Sequence, residues 1–250
     1  MVILRDEVRI ARYRRISQIT SFLGMGALII GMILVFVGNI EEVFTYQLIA
    51  LFVGWLLSQV GIYLGHRYIR SPRPDEVLDT TLRKVARKGR MYHYMMPAPH
   101  VLLLPTGVML FVTKYQGGDI SVEGDKWKQK GLGLRRLFGQ EQLGNPTREA
   151  ENYIKAMATW ISKNAPGVEE VPMGAVIVFT SKGNNELDLK NSDLPAMHFT
   201  KLKGFMRLRK GDEPLPEADY EALRAAFDRE AGDLLPAEDQ EADESVVSAG

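Results

Sequence analysis

Two long stretches without a single charge constrain this chain more than any other feature. Residues 16–40 hold 25 uncharged positions and residues 43–65 hold 23 more. About 20 residues at 1.5 Å rise each cover the roughly 30 Å hydrocarbon core of a bilayer. A charge at the centre of such a helix costs roughly 2.5–3.5 kcal/mol on insertion scales. A buried helix of a soluble protein is the competing explanation, but it keeps a polar face at this length. We expect one transmembrane helix at 16–40 and a second at 45–65, joined by an external loop at 41–44.

The flanking charges orient the pair. Residues 1–15 form a basic segment with Arg5, Arg9, Arg12, Arg14 and Arg15, and Arg67, Arg70 and Arg73 follow the second stretch. Glu41 and Glu42 lie between the two, with no Lys or Arg. Basic residues stay on the cytoplasmic side, so both termini are expected there, at a bacterial cell membrane. A cleaved signal is not expected, because the first stretch is too long and a second follows at once. Gly61 with Gly65, and Ala27 with Gly31, are small-residue pairs that let two helices approach closely. Packing within the hairpin explains them without a dimer, and the oligomeric state stays open.

Averages hide this layout. The chain has 31 basic and 31 acidic residues and a mean hydropathy of −0.11, values typical of a soluble protein. The neutrality is a cancellation. Residues 1–211 carry 29 bases and 18 acids, and residues 212–250 carry 2 bases and 13 acids. There is no cysteine, which excludes disulfides and thiolate metal sites.

From residue 74 the pattern becomes that of an α/β domain. Asp75 and Glu76 open a helix expected to run to Lys88, with acids first and bases last as the helix dipole favours. Strands are expected at 101–104 and 108–112 around the turn Pro105-Thr106-Gly107, and at 120–123 before Gly124-Asp125. Residues 126–144 read as a basic, glycine-rich loop with a helical turn near 134–138. Asn145 as cap and Pro146 at the first position start a helix to about Asn164. A buried strand at 175–179, a short strand within 193–198 and a helix at 200–207 complete a domain expected at 74–210. Residues 211–250 are expected as an acidic helix, with Tyr220, Leu223 and Phe227 on one side, and a disordered tail.

Several residues in this order resemble the nuclease-related domain, NERD. They are His100-Val101-Leu102-Leu103-Leu104-Pro105-Thr106-Gly107-Val108, Thr113-Lys114-Tyr115-Gln116-Gly117, Gly124-Asp125-Lys126-Trp127, Asn145-Pro146 and Val176-Ile177-Val178-Phe179-Thr180. Glu76 looks like the family's early glutamate. The resemblance implies a restriction-endonuclease-like fold, a mixed central sheet flanked by helices, and a metal-dependent phosphodiesterase site. The family places an Asp before a His at the start of one strand and Glu-x-Lys at the end of the next. An oxygen-ligated Mg²⁺ needs such carboxylates, and the lysine stabilises charge developing on the phosphate.

Here the expected acidic positions are Pro99 and Val112, which offer no oxygen side chain. Lys114 remains, with Glu76 and Glu149 as remnants. Glu76, Asp119, Glu123, Asp125 and Glu149 are candidates for relocated ligands. His100 is expected as a structural hydrogen-bonding residue and Trp127 as a core anchor. The reading is a membrane-anchored cytoplasmic domain, catalytically inactive, acting in binding, scaffolding or regulation and needing no cofactor. Nucleic acid is the candidate partner of the basic segment, through Lys126, Lys128, Lys130, Arg135 and Arg136; a protein partner is the other. The alternative is a membrane-tethered Mg²⁺-dependent nuclease with relocated ligands.

Overall fold

The computed structural model describes residues 1–37, 40–133, 141–181 and 186–235. They divide into two compact units. One holds Met1–Asp6, Pro74–Gly131 and Leu143–Gly250, and the other holds Glu7–Arg73 and Leu132–Gln142.

The second unit is built on two helices, α1 (Glu7–Val37) and α2 (Ile40–Tyr68). At ~1.5 Å per residue each is about 45 Å long, enough to cross a membrane. Only 11% and 17% of their most apolar windows are buried, so their apolar surface does not serve a soluble core. Small residues line the seam between them. A Cβ on Gly24 would lie 2.8 Å from Ser58 Oγ and 2.9 Å from its backbone nitrogen. One on Gly54 would lie 2.9 Å from Leu28 N. Gly61 faces Ser21, and Ser17 Oγ donates to Gly61 O at 2.9 Å. Gly31 packs against Leu51, so three of the four small residues read from sequence spacing, Gly31, Gly61 and Gly65, face the partner helix. At the end of α2, Arg67 forms a two-pronged pair with Glu141 at 2.7 and 3.1 Å. The expected loop at 41–44 is instead helical, because α2 already begins at Ile40.

The first unit is a mixed sheet flanked by helices. Its strands are β1 (Val2–Arg5), β2 (Arg90–His93), β3 (His100–Leu104), β4 (Gly107–Lys114), β7 (Met173–Phe179) and β9 (Ala196–His198), in the order β1-β2-β3-β4-β7-β9. β1 runs parallel to β2, β2–β3–β4 is an antiparallel meander, and β7 and β9 continue parallel to β4. A smaller sheet has the order β6-β5-β8, from β5 (Asp119–Gly124), β6 (Lys126–Lys130) and β8 (Leu187–Ser192). Gly124, at φ +60, supplies the left-handed residue that the tight β5–β6 turn needs.

Alternation along β4 builds two cores. Val108, Leu110 and Val112 face α4 (Pro146–Asn164) and α6 (Glu217–Ala231). Met109 and Phe111 face α3 (Pro74–Leu82) and α5 (Phe199–Leu208). α4 forms as its sequence dictates: Asn145 accepts a hydrogen bond from Arg148 N at 3.0 Å, Pro146 opens the first turn, and Ala150, Met157 and Ile161 are buried.

The domain is larger than 74–210. Within the segment expected as a basic lead, Val2–Arg5 is an edge strand of the main sheet. α6 is an integral core helix, with Leu223 and Phe227 fully buried. Its Asp228 takes both prongs of Arg90 at 3.0 and 3.1 Å and a hydrogen bond from Tyr92 Oη at 2.7 Å. Burial, and then the Asp228 carboxylate, raise Tyr92 far above the usual tyrosine value. Burial likewise pushes the Asp228 carboxyl up, against the opposing pull of Tyr92, Arg90 and Arg224.

Other local expectations also change. α3 stops at Leu82 and not Lys88, and the freed residues lead into β2. Residues 126–130 are a strand within the expected loop, with Trp127 and Gln129 half-buried and the three lysines exposed. The expected turn at 134–138, Arg135, Arg136 and the tail from residue 236 lie outside the described residues.

Candidate functional site

The two positions where the resemblance expects acids lie at and beside the β3–β4 pair. β3 pairs with β4 so that Val101 sits opposite Leu110. Pro99 immediately precedes β3, and Val112 lies within β4. Val112 is 1% exposed, locked into the core beneath α4, and Pro99 offers no side-chain oxygen.

Lys114 follows on the same face of β4. It is 5% exposed, and its Nζ lies 2.5 Å from Glu149 Oε2 on the first turn of α4. The other carboxylate oxygen, Oε1, accepts from Tyr153 Oη at 3.2 Å. Thr180 N donates to Lys114 O at 2.7 Å and so fixes the strand end. Nearby, Trp127 Nε1 donates to Thr147 Oγ1 at 2.8 Å, which joins β6 to α4 and makes Trp127 a packing anchor.

The remaining candidates lie elsewhere. Glu76 is on α3, which packs on the opposite face of the sheet from α4. Asp119 and Glu123 belong to β5 and Asp125 to the turn after it. Of the expected set, Lys114 and Glu149 meet in an ion pair. A Mg²⁺ ion takes its protein ligands from oxygen, usually one or two carboxylates with substrate oxygens and waters. The single carboxylate here is already engaged by an ammonium and a phenol, so these residues do not fit a magnesium ion. Among the described residues no group of three His, Asp or Glu side chains comes together to hold one.

The lysines of β6 occupy one exposed face of an edge strand. Lys126 pairs across the hairpin with Glu123 and Lys130 with Asp119, while Lys128 faces Ser121. Glu123 also accepts a hydrogen bond from Asn191 at 3.0 Å. The stripe is therefore cationic but partly countered. Charge on an edge strand also keeps the sheet from pairing with another chain.

Sequence reasoning missed a buried polar cluster on the other face. Arg5 pairs with Asp75 at 2.7 Å and also with Asp79. Asp79 Oδ1 lies 2.9 Å from His93 Nε2, and His93 Nδ1 lies 2.9 Å from His100 Nδ1. Tyr94 Oη donates to Asp75 at 3.2 Å. In the His93–His100 contact one ring carries the proton and the other accepts it. Asp75 and Asp79, four residues apart on one helical face, were the available signal. The cluster ties β1, α3, β2 and β3 together, and His100 is a hydrogen-bonding member of it.

Neither a curated protein nor a solved structure matches the chain. Residues 98–180, running from just before β3 to just after β7, match the family model of the nuclease-related domain, NERD. The matched segment, about a third of the chain, includes Pro99, Val112, Lys114 and Glu149.

Proposed function

We propose that the chain crosses a membrane twice and presents its nuclease-related domain as a binding and scaffolding module that does not cleave nucleic acid. The observation that carries this reading is the Lys114–Glu149 pair beside an apolar Val112. The lysine that would stabilise a developing phosphate charge is neutralised, and the positions that would anchor a metal carry no oxygen. In this reading the domain keeps a restriction-endonuclease-like framework and has lost its chemistry.

The anchoring is supported by the connectivity. β1 precedes α1 and α3 follows α2, yet both belong to one folded unit. An even number of crossings must separate them. The arginines at both ends of the hairpin favour the cytoplasmic side for that unit.

Lys126, Lys128 and Lys130 are the surface proposed to meet nucleic acid phosphates. The test is binding of the full chain, in lipid nanodiscs, to labelled DNA and RNA across a salt series. Binding should weaken steeply with salt, and replacing the three lysines by alanine should flatten the log–log slope by roughly 2–3. No binding at low salt would remove nucleic acid as the partner. A second reading, a nuclease with relocated ligands, is favoured by one observation: Glu149 places a carboxylate directly against the retained lysine.

A further inference from the structure

Two cavities adjoin at the end of the main sheet opposite Lys114. The first, of about 340 Å³, has a cationic rim: Lys84, Arg87 and Lys88 follow α3, and Arg209 follows α5. Leu104 and Met206 give it an apolar floor, and among the described residues no acid lines it. The second, of about 410 Å³, has Met109, Pro172 and Met173 in its wall and Asp212 and Glu213 at its rim. Leu104, Thr106 and Arg209 line both. Gly174 makes room at the junction: a Cβ there would lie 3.4 Å from a guanidinium nitrogen of Arg209 and 3.1 Å from Met109 Cε. Lys84, Arg87 and Lys88 are exposed, and among the described residues no carboxylate forms an ion pair with them. Arg209 holds Asp212 at 2.9 Å, a surface contact that is readily exchanged.

Charge is thus sorted along the groove, with cations at one end, carboxylates at the other and apolar wall beneath both. A ligand that matches it carries anionic oxygens at one end, hydroxyl donors at the other, and a flat apolar body. We propose that the two cavities together bind a nucleoside diphosphate. Lys84, Arg87 and Lys88 take the phosphates, whose several oxygens engage all three cations, the arginine as a two-pronged donor. Glu213 and Asp212 accept hydrogen bonds from the ribose hydroxyls, as carboxylates do at dinucleotide sites. The base lies against Pro172 and Met173. Arg209 stands between the two ends and exchanges Asp212 for a phosphate oxygen when the ligand enters. Both volumes fall within the roughly 300–1,000 Å³ of small-molecule sites. A plain polyanion would use the first cavity alone and leave the carboxylates of the second without donors. The site is separate from the Lys114–Glu149 pair, which lies at the other end of β4.

The test is calorimetric titration of the full chain in nanodiscs with ADP, adenosine and inorganic pyrophosphate. ADP should bind, and adenosine and pyrophosphate should each bind at least about tenfold more weakly, since each forgoes the polar contacts of one end. The triple variant Lys84→Gln, Arg87→Gln, Lys88→Gln should weaken ADP at least about tenfold and leave adenosine unchanged. Glu213→Gln should weaken ADP and adenosine alike and leave pyrophosphate unchanged. Thr106→Trp, which fills the junction, should abolish ADP binding. These variants replace exposed or half-exposed side chains, so their thermal unfolding should match that of the unaltered chain. The comparison of the three probes on the unaltered chain needs no variant at all. The proposal is overturned by no ADP binding at millimolar concentration, by pyrophosphate binding as tightly as ADP, or by an ADP affinity indifferent to the triple variant. A 5′-phosphorylated oligonucleotide that displaces ADP at equal concentration overturns it too, since a nucleic acid end would then be the occupant.

Discussion

Lys114 Nζ lies 2.5 Å from Glu149 Oε2 and so joins the last residue of β4 to the first turn of α4. The lysine is almost fully buried, whereas the glutamate side chain is 30% exposed. Glu149→Gln should leave a buried ammonium without its anion and destabilise the domain by about 1–3 kcal/mol, less than for a fully buried pair because water reaches Glu149. Adding Lys114→Met should recover most of that loss. Chemical denaturation of the four proteins in a double-mutant cycle checks this; additive losses would mean that the pair does not couple.

Arg5 makes a parallel case on the other face. It pairs with both Asp75 and Asp79, and it sits on the edge strand that precedes α1. Arg5→Ala should cost about 3 kcal/mol, since two buried carboxylates lose a cation that pairs with both. A fragment beginning at Pro74 should fare worse, because it also strips β1 from β2 and bares a sheet edge. Protease resistance of the domain reads both out. A fragment from Pro74 as resistant as the full chain would contradict the discontinuous domain.

The two ends of the sequence were unequally legible, and the reason is locality. The uncharged spans, the Asn145-Pro146 helix start and the Pro105-Thr106-Gly107 turn are signals carried by a few adjacent residues, and the structure has them. β1 and β2 are four residues each, and they are defined by each other across the whole helix hairpin. β6 alternates correctly, but its outward residues are all lysine, so its period of two reads as a basic loop. The apolar side of α6 could be read, whereas the surface it covers, Tyr92 and the core around it, could not. At the site, Pro99 and Val112 could be named from the resemblance. The meeting of Lys114 with Glu149 depends on how α4 lies on β4, which no local pattern encodes.

Tyr92 gives a dependence on pH. Its folded value is raised by burial and by Asp228, so its unfolded form ionises first, near pH 10. The stability it contributes is complete below that pH and is lost as pH rises above it. Urea midpoints should therefore fall between pH 9 and 11, with tyrosinate absorbance from Tyr92 appearing only on unfolding. Tyr92→Phe should lower stability at pH 8 by about 2 kcal/mol, the worth of a hydrogen bond to a charged group, and flatten the alkaline slope. An equally steep slope in that variant would assign the effect to other groups.

Within the helix hairpin, Gly24 and Gly26 form a matched pair for mutation. A side chain at Gly24 meets the backbone of Ser58, and one at Gly26 meets nothing within 4 Å. Gly24→Leu should force α1 and α2 apart and expose the interhelical Ser17–Gly61 bond to exchange, whereas Gly26→Leu should be silent. Disulfide trapping between cysteines placed at Ser21 and Gly61 measures the separation; equal trapping in both variants would contradict the packing described.

The most direct test of the central claim is cleavage. Full chain in nanodiscs is incubated with single- and double-stranded DNA and RNA and millimolar Mg²⁺ or Mn²⁺, beside Lys114→Ala and Glu149→Gln variants. The account predicts no metal-dependent cleavage above the level of either variant. Metal-dependent cleavage by the unaltered chain, lost in both variants, would contradict it and establish the relocated-ligand nuclease.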